Sequence, residues 1–235
     1  MTRELRTVIL LCGVVSLAAC PFSLHAQEEV QYKMEMGVAA GAGFGLTDIN
    51  HRFYGNVSVS GGAVARFLLN PRMAIKTSLT YTGIKGNTDN VSDFYPAVTV
   101  GSVSPERLNY TFSGGVYDLS ATYELNFLPY GYVRGFEGHK RITPYIQLGL
   151  GFTYASSGTF TVNLPVGFGV KCKIARRLNL GLDWLIHFTP SDELDGLNAP
   201  TAIPSSGFRN KDHYSTTLVT LTYDLFPRCV NCNRD

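Results

Sequence analysis

Apolar and polar residues alternate along residues 162–188 of the chain. The apolar positions are Val162, Leu164, Val166, Phe168, Val170, Cys172 and Ile174 on the first arm, and Leu180, Leu182, Trp184, Ile186 and Phe188 on the second. Since successive side chains of a strand point to opposite faces, each arm has one apolar face and one face of polar residues and glycines. Residues 175–178 between the arms are only enough for a tight turn. The stretch is therefore predicted to be a long antiparallel hairpin with one apolar side.

The same alternation recurs along the chain and predicts eight strands in total. The six further strands are expected at 32–46, 56–69, 75–84, 117–127, 142–154 and around 220–225. Turn-forming residues such as Asn70 and Pro71 separate neighbouring strands. An even number of antiparallel strands returns both ends of the chain to the same side of the sheet. The sequence therefore predicts an all-β fold, an eight-stranded antiparallel barrel.

Three features indicate that the apolar face of this barrel points outward, toward lipid. The polar face consists largely of Gly, Ser, Thr and Asn with isolated charges, which suits the narrow lumen of a small barrel. Charged residues make up 16% of the chain, against about 25% in a typical soluble protein. Each arm of the hairpin also exceeds the ~9–11 residues that a tilted transmembrane strand requires. The predicted barrel is thus a transmembrane one of the outer-membrane type.

Residues 1–26 are predicted to be an export signal that takes no part in the fold. Arg3 and Arg6 precede an apolar run at residues 8–19, which is too short to span a membrane as an anchor. Residues 17–20 are similar to a lipoprotein lipobox, so lipidation of Cys20 is an open alternative. The expected divisions of the chain are the signal at 1–26, the barrel at 27–226 and a cysteine-containing tail at 227–235.

The connections between the predicted strands alternate in length. Those after the second and sixth strands are short, whereas residues 85–107 and 190–211 form long polar connections. Outer-membrane barrels have short turns in the periplasm and longer loops outside the cell, so both termini are predicted to be periplasmic. The segment 129–141 lies on the same side and is longer than a periplasmic turn needs to be, which favours a role in docking a partner. The partner-binding residues predicted on this side are Tyr130, Tyr132, Arg134, Phe136, Cys229 and Cys232.

Six charged residues fall on the inward, polar parity of the strands. They are Arg66, Lys76, Glu124, Lys171, Lys173 and Asp183. An eight-stranded barrel has an interior just wide enough for side chains to fill, and an unpaired buried charge is costly. These residues are therefore predicted to form a paired, hydrogen-bonded network that plugs the lumen. A conducting pore or a catalytic pair of carboxylates is the alternative interpretation.

Three cysteines follow the predicted signal: Cys172, Cys229 and Cys232. The tail pair supplies too few ligands for zinc and lacks the helical setting of a redox motif. An oxidising periplasm favours a disulfide, and the odd count leaves one thiol over. Two hypotheses stay open, an intrachain Cys229–Cys232 bond and a bond between a periplasmic-side cysteine, in the tail, and a partner protein.

His187 has inward parity near the predicted outer rim, where lipid-modifying barrel enzymes place catalytic groups. A hydrolase also needs a nucleophile and an orienting acid within reach of the histidine. Ser191 and Asp192 are close in sequence, but the sequence does not place them in that geometry. A structural histidine is therefore the preferred interpretation, and no catalytic, cofactor or metal site is predicted.

Five short motifs in the second half of the chain carry a resemblance to a known family. They are residues 124–130 (ELNFLPY), 143–145 (TPY), 165–171 (PVGFGVK), 181–184 (GLDW) and 192–196 (DELDG). In these residues the chain resembles the PorG family, small outer-membrane β-barrels associated with the type IX (Por) secretion system. The resemblance covers roughly residues 124–223 and brings no catalytic residues with it. It implies that the barrel fixes a periplasmic ring, built from the lipoprotein PorK and its partner PorN, to the outer membrane.

Together these patterns predict a non-enzymatic, integral protein of the bacterial outer membrane. The expected partners are outer-membrane lipid and, through the resemblance, a PorK-like lipoprotein with a PorN-like ring protein. Nucleic acid is not an expected partner, because the net charge is +2 and the sequence has no basic cluster. Neither a cofactor nor a small-molecule substrate is expected. The alternatives are a barrel with an unrelated structural or adhesive role and a lipid-modifying enzyme with its site at the rim.

Overall fold

The computed structural model describes residues 31–47, 50, 52–88, 110–132, 138–196 and 211–228. Its strands are β1 (Tyr32–Leu46), β2 (Ser58–Asn70), β3 (Met73–Asn87), β4 (Thr111–Asn126), β5 (Ile142–Ala155), β6 (Phe160–Ala175), β7 (Leu178–Phe188) and β8 (His213–Pro227). Each strand pairs antiparallel with the next, and β8 pairs with β1 to close the barrel. The predicted all-β, eight-stranded antiparallel barrel is confirmed. Within the described ranges, no helix has the length and apolar character needed to cross a bilayer.

Two strands are longer than the alternation predicts. β3 continues to Asn87 and β4 begins at Thr111, whereas the pattern ended the first at 84 and began the second at 117. The two extensions pair with each other up to Asn87 and Thr111. Because Gly114 and Gly115 interrupt the alternation in β4, the local pattern did not show that the strand starts before them.

The apolar residues of the strands point outward. Val59 on β2, Leu150 on β5 and Phe160 on β6 are 78%, 72% and 67% exposed. The inward parity of the same strands is buried and consists mainly of polar residues and glycines. An exposed apolar surface this extensive is far larger than the patches that soluble monomers carry, and it is the surface expected of a protein solvated by lipid.

Aromatic side chains edge this apolar surface at both ends. Tyr81, Tyr117, Tyr154 and Phe160 stand in one cross-strand row on β3 to β6. The other edge carries Phe67, Tyr123, Phe127, Tyr223 and Phe226, which are all exposed. At ~3.3 Å per residue and a strand tilt of ~40°, the ten-residue step from Tyr117 to Phe127 spans roughly 25 Å along the barrel axis. This is the height of the apolar band of an outer-membrane barrel.

The two ends of the barrel differ in their connections. One end, called the terminus end below, carries residue 31, the tight turns at 71–72 and 176–177, the connection 127–141 and residue 228. The other, called the loop end, carries the connections 47–57, 88–110, 156–159 and 189–212. The register of strand pairing shifts at Leu68/Asn70 and at Lys173/Ala175, next to the two short turns. The short turns after β2 and β6 and the long connections after β3 and β7 agree with the lengths expected from the sequence, whereas 127–141 is long at the terminus end and 156–159 is short at the loop end.

Candidate functional site in the barrel lumen

Three basic and three acidic side chains from six different strands meet inside the barrel. Arg66 of β2 is at the centre, with Nε 2.9 Å from Glu124 and Nη1 3.4 Å from Glu35. Its Nη2 is 3.7 Å from Asp183. These side chains are at most 1% exposed. The guanidinium thus links strands β1, β4 and β7 across the lumen.

Two lysines complete this group, which we call the central network: Arg66, Lys76, Lys171, Glu35, Glu124 and Asp183. Lys76 Nζ lies 2.8 Å from Asp183, and Lys171 Nζ lies 3.1 Å from Glu124. Three positive and three negative charges leave the network formally neutral. Because each buried charge has an oppositely charged neighbour, the cost of taking it out of water is offset by direct pairing.

Neutral side chains complete the hydrogen bonding of the central network. Gln147 accepts a bond from Lys76 (3.0 Å), Thr222 donates to Glu35 (3.0 Å), and the Tyr145 hydroxyl donates to Asp183. Tyr145 reaches Asp183 because Gly169 lies beside it on β6; a Cβ at Gly169 would lie 2.6 Å from the Tyr145 ring. The glycines that alternate with apolar residues in the sequence therefore give the large lumen side chains their space.

A second ion pair lies between the central network and the terminus end. Lys173 Nζ is 2.7 Å from Asp224, and Asn179 donates to the same carboxylate at 2.6 Å. The Tyr130 hydroxyl in turn donates to Asn179 at 2.8 Å. Tyr130 belongs to the connection between β4 and β5, so this chain of bonds ties that connection to the wall of the barrel.

Tyr130 therefore lies inside the terminus end of the barrel, and its role in partner binding stays a prediction. It is 9% exposed, and its ring lies 5.1 Å from Lys171 Nζ and 5.2 Å from Lys173 Nζ. Its backbone N–H donates to Pro71 in the β2–β3 turn at 3.0 Å. Burial, with the Glu35 carboxylate nearby, raises the pKa of Tyr130 well above its usual value. The phenol stays protonated and can donate to Asn179.

Replacing Tyr130 with phenylalanine is expected to lower the free energy of unfolding by about 1 kcal/mol, because it leaves Asn179 without its donor while the ring stays over the two lysines. Urea unfolding of the detergent-solubilised barrel measures the change. The control is Tyr123→Phe, since Tyr123 is 43% exposed on the outer wall. An equal loss in both variants would mean that the Tyr130 hydroxyl makes no specific contribution.

The other predicted docking residues are only partly placed. Tyr132 is half-buried, with the Arg141 guanidinium 4.0 Å from the centre of its ring. Arg134, Phe136, Cys229 and Cys232 lie outside the described residues. Cys172 is partly exposed on the outward face of β6, between Ile142 of β5 and Leu180 of β7. The disulfide hypotheses for the tail remain predictions.

His187 forms a separate cluster nearer the loop end. Its Nδ1 is 3.6 Å from Asp118, and Thr216 Oγ1 is 3.5 Å from its Nε2. Tyr214 stacks on the imidazole at 4.4 Å and donates to Asp118 at 2.8 Å. Asn163 donates to the same carboxylate. The acid beside His187 is therefore Asp118 from β4, and neither Ser191 nor Asp192 takes that place.

The contacts from the Thr216 hydroxyl to the His187 imidazole and on to the Asp118 carboxylate resemble those of a catalytic triad. Their geometry, however, does not suit catalysis. Both contacts of the imidazole exceed the ~2.6–3.2 Å expected between members of a triad. Thr216, His187 and Asp118 are at most 2% exposed. Buried apolar side chains from several segments, Ile84, Val116, Ala155 and Leu194, pack with Tyr214. A substrate would have to displace this packing, so the cluster is best explained as structural.

The charge network predicted from the sequence did not include Glu35, Asp118 or Asp224. All three are at most 1% exposed and lie on the inward parity of strands that were predicted correctly, so the signal was present in the alternation. Which of these acids pairs with which base depends on the stagger of the strands around the barrel. Local sequence does not contain that information.

Small-molecule and metal sites find little support in the described residues. The opening at the terminus end, lined in part by Asn126, Tyr130, Lys173 and Arg228, has a volume of about 50 Å³. Ligand sites usually measure about 300–1,000 Å³. The described ranges also contain no group of three His, Cys, Asp or Glu side chains placed to hold a metal ion.

Comparison with protein families matches residues 14–234 to the domain of unknown function DUF6089. The chain belongs to this family. The search of curated proteins gave no match. Among solved structures, the DUF6089 chain is similar to neisserial surface protein A (NspA), with 11% identity over 84% of this chain and 100% of NspA, at a TM-score of 0.48. It is also similar to Ail, the attachment invasion locus protein of Yersinia pestis, solved with the heparin analogue sucrose octasulfate. That alignment has 10% identity over 84% of this chain and 100% of Ail, at a TM-score of 0.41.

Proposed function

We propose that this DUF6089 protein is a non-enzymatic, integral protein of the bacterial outer membrane that anchors a periplasmic protein assembly through its terminus end. The observation that carries the proposal is the inside-out arrangement of the barrel. Apolar side chains such as Val59 and Leu150 face outward, while the charges pair with one another across the lumen. In such a barrel the outer wall contacts lipid, and side chains fill the lumen.

A filled lumen restricts what the barrel can do. Arg66 bridges three carboxylates across the barrel, and Tyr130 lies over Lys171 and Lys173 on the terminus side of that bridge. Neither transport through the lumen nor catalysis within it fits this packing. The two ends remain as the surfaces where the protein can act on soluble partners.

The terminus end is the better surface for a stable assembly. Its connection 127–141 is held to the β2–β3 turn through Tyr130 and Pro71, so the exposed residues of the segment rest on a fixed base. Outer-membrane barrels have their short turns on the periplasmic side, which supports an orientation of this end toward periplasmic proteins. The resemblance of the five motifs to PorG supports a more specific role, the attachment of a PorK-like lipoprotein and a PorN-like ring protein of type IX secretion.

A pull-down of the tagged barrel from its native membrane in mild detergent tests the proposal. Recovery of a periplasmic lipoprotein together with a ring-forming protein is the expected result. Parallel runs with and without reductant, on the native chain and on a Cys229→Ser/Cys232→Ser variant, show whether a tail cysteine holds the partner covalently. Recovery of the folded barrel alone from all samples would contradict the anchoring role and leave the fold unaffected.

A further inference from the structure

Within the part of the chain that the structure describes, exposed charge is distributed unevenly between the two ends of the barrel. Besides Lys33 on β1, six exposed or half-buried basic residues at the terminus end lie in or beside its turns and connections and form what we call the basic rim: Arg72, Lys140, Arg141, Arg176, Arg177 and Arg228. In the described ranges, the carboxylates on this side, Glu35, Glu124 and Asp224, are fully buried in the lumen. Among the described residues, Glu193 is the one exposed acidic residue, and it lies at the loop end.

The basic rim was not visible in the sequence because its members come from separate segments. Arg72 lies in the β2–β3 turn, Lys140 and Arg141 precede β5, Arg176 and Arg177 form the β6–β7 turn, and Arg228 follows β8. Closing the barrel brings these segments to one end and distributes them around it. A net charge near zero for the whole chain therefore coexists with a strongly positive edge.

Arg177 shows how the basic rim meets the outer wall. Its Nε is 3.0 Å from the Tyr32 hydroxyl and its Nη1 is 3.5 Å from the Tyr223 hydroxyl. The guanidinium carbon lies 5.3 Å from the centre of the Tyr32 ring. Tyr223 belongs to the aromatic edge of the apolar surface, so the charge lies where hydrocarbon gives way to lipid headgroups. Within the described residues, Nη2 of Arg177 is not used in these contacts and is available to a further acceptor.

We propose that the basic rim binds the phosphate groups of anionic phospholipids in the adjacent leaflet of the membrane. A guanidinium offers paired donors that match phosphate oxygens, and phenol hydroxyls beside it add donors at the same level. Lipid fits the observations better than an acidic protein does, because the charges surround the barrel and are joined to tyrosines on its lipid-facing wall. A protein partner would be expected to contact one patch at the end of the barrel.

The purified full-length barrel in nonionic detergent, stripped of lipid, allows a direct test by native mass spectrometry. We expect it to retain short-chain phosphatidylglycerol in preference to short-chain phosphatidylcholine. The double variant Arg176→Gln/Arg177→Gln should lose about fivefold in affinity for phosphatidylglycerol per arginine, hence about 25-fold in total. Arg176→Lys/Arg177→Lys, which keeps the charge, should retain most of the affinity.

The matched control is Arg52→Gln/Lys85→Gln, which removes two exposed positive charges at the loop end. It should bind phosphatidylglycerol as the native barrel does, and far-ultraviolet circular dichroism should show all variants folded. Equal binding of the two lipids, or equal losses in both double variants, would overturn the proposal. So would displacement of the lipid by inorganic phosphate at equal concentration, which would show a site for free phosphate. No partner protein is needed, so this test is independent of the anchoring role.

Discussion

Replacing Glu124 with alanine is expected to lower the free energy of unfolding of the barrel by about 3–5 kcal/mol, because it leaves buried cations without their partner. Glu124 is fully buried, 2.9 Å from Arg66 Nε and 3.1 Å from Lys171 Nζ. Lys76 lies 3.9 Å away from the same carboxylate. The loss can be measured by urea unfolding in detergent micelles, read as the change in midpoint at constant slope.

Two further variants separate this effect from a general effect of removing an acid. Glu193→Ala removes an exposed carboxylate at the loop end and should change the unfolding free energy by less than about 0.5 kcal/mol. Combining Glu124→Ala with Lys171→Met removes one of the cations left behind, so the double variant should be more stable than Glu124→Ala alone. If Glu124→Ala unfolds at the native midpoint, the central network does not stabilise the barrel.

Replacing Leu148 with arginine is expected to cost about 2–4 kcal/mol in a phospholipid bilayer, because it places a charge on the lipid-facing wall near mid-height. Leu148 lies in the middle of β5 and is 55% exposed. Reversible urea unfolding of the barrel in vesicles measures the change. In a soluble barrel the substitution would change the stability little, since a charge on a water-exposed surface is nearly neutral for stability.

Ile142 provides the matched control on the same strand. It is the first residue of β5, at the terminus end, and is 49% exposed on the same outward face. Ile142→Arg should therefore cost only about 0–1 kcal/mol, the value expected near the membrane interface. Equal effects at the two positions would show that the outer wall does not cross a hydrocarbon layer.

The alternation of residue types was sufficient to predict the strands and the direction of their faces. In the hairpin of β6 and β7, Phe168 and Leu182 are about half exposed, at 55% and 51%, while Lys171 and Asp183 are at most 1% exposed. A period of two fixes the face of every side chain once one face is known. Which face points inward was inferred from composition, because a face with few charges and many small polar residues suits the narrow lumen of a small barrel.

The placement of Tyr130 and the partners of each buried charge could not be predicted in the same way. Tyr130 shares the parity of Glu124 and Asn126, but the chain leaves β4 after Asn126, so parity alone does not extend to it. Its inward position depends on a contact with the β2–β3 turn, which is distant in sequence. The basic rim likewise exists only after closure of the barrel brings separate turns together.

The anchoring role requires that the barrel spans the outer membrane with its terminus end in the periplasm. Two single-cysteine variants test the membrane span and its orientation at once. One is Ser157→Cys, in the β5–β6 turn of the loop end, and the other is Arg176→Cys, in the β6–β7 turn of the terminus end. With Cys172, Cys229 and Cys232 replaced by serine, a membrane-impermeant thiol reagent should label Ser157→Cys in intact cells. It should label Arg176→Cys only after the outer membrane is permeabilised. Labelling of both positions in intact cells, or of Arg176→Cys alone, would contradict this orientation, and recovery of the protein in the soluble fraction would contradict the membrane barrel itself.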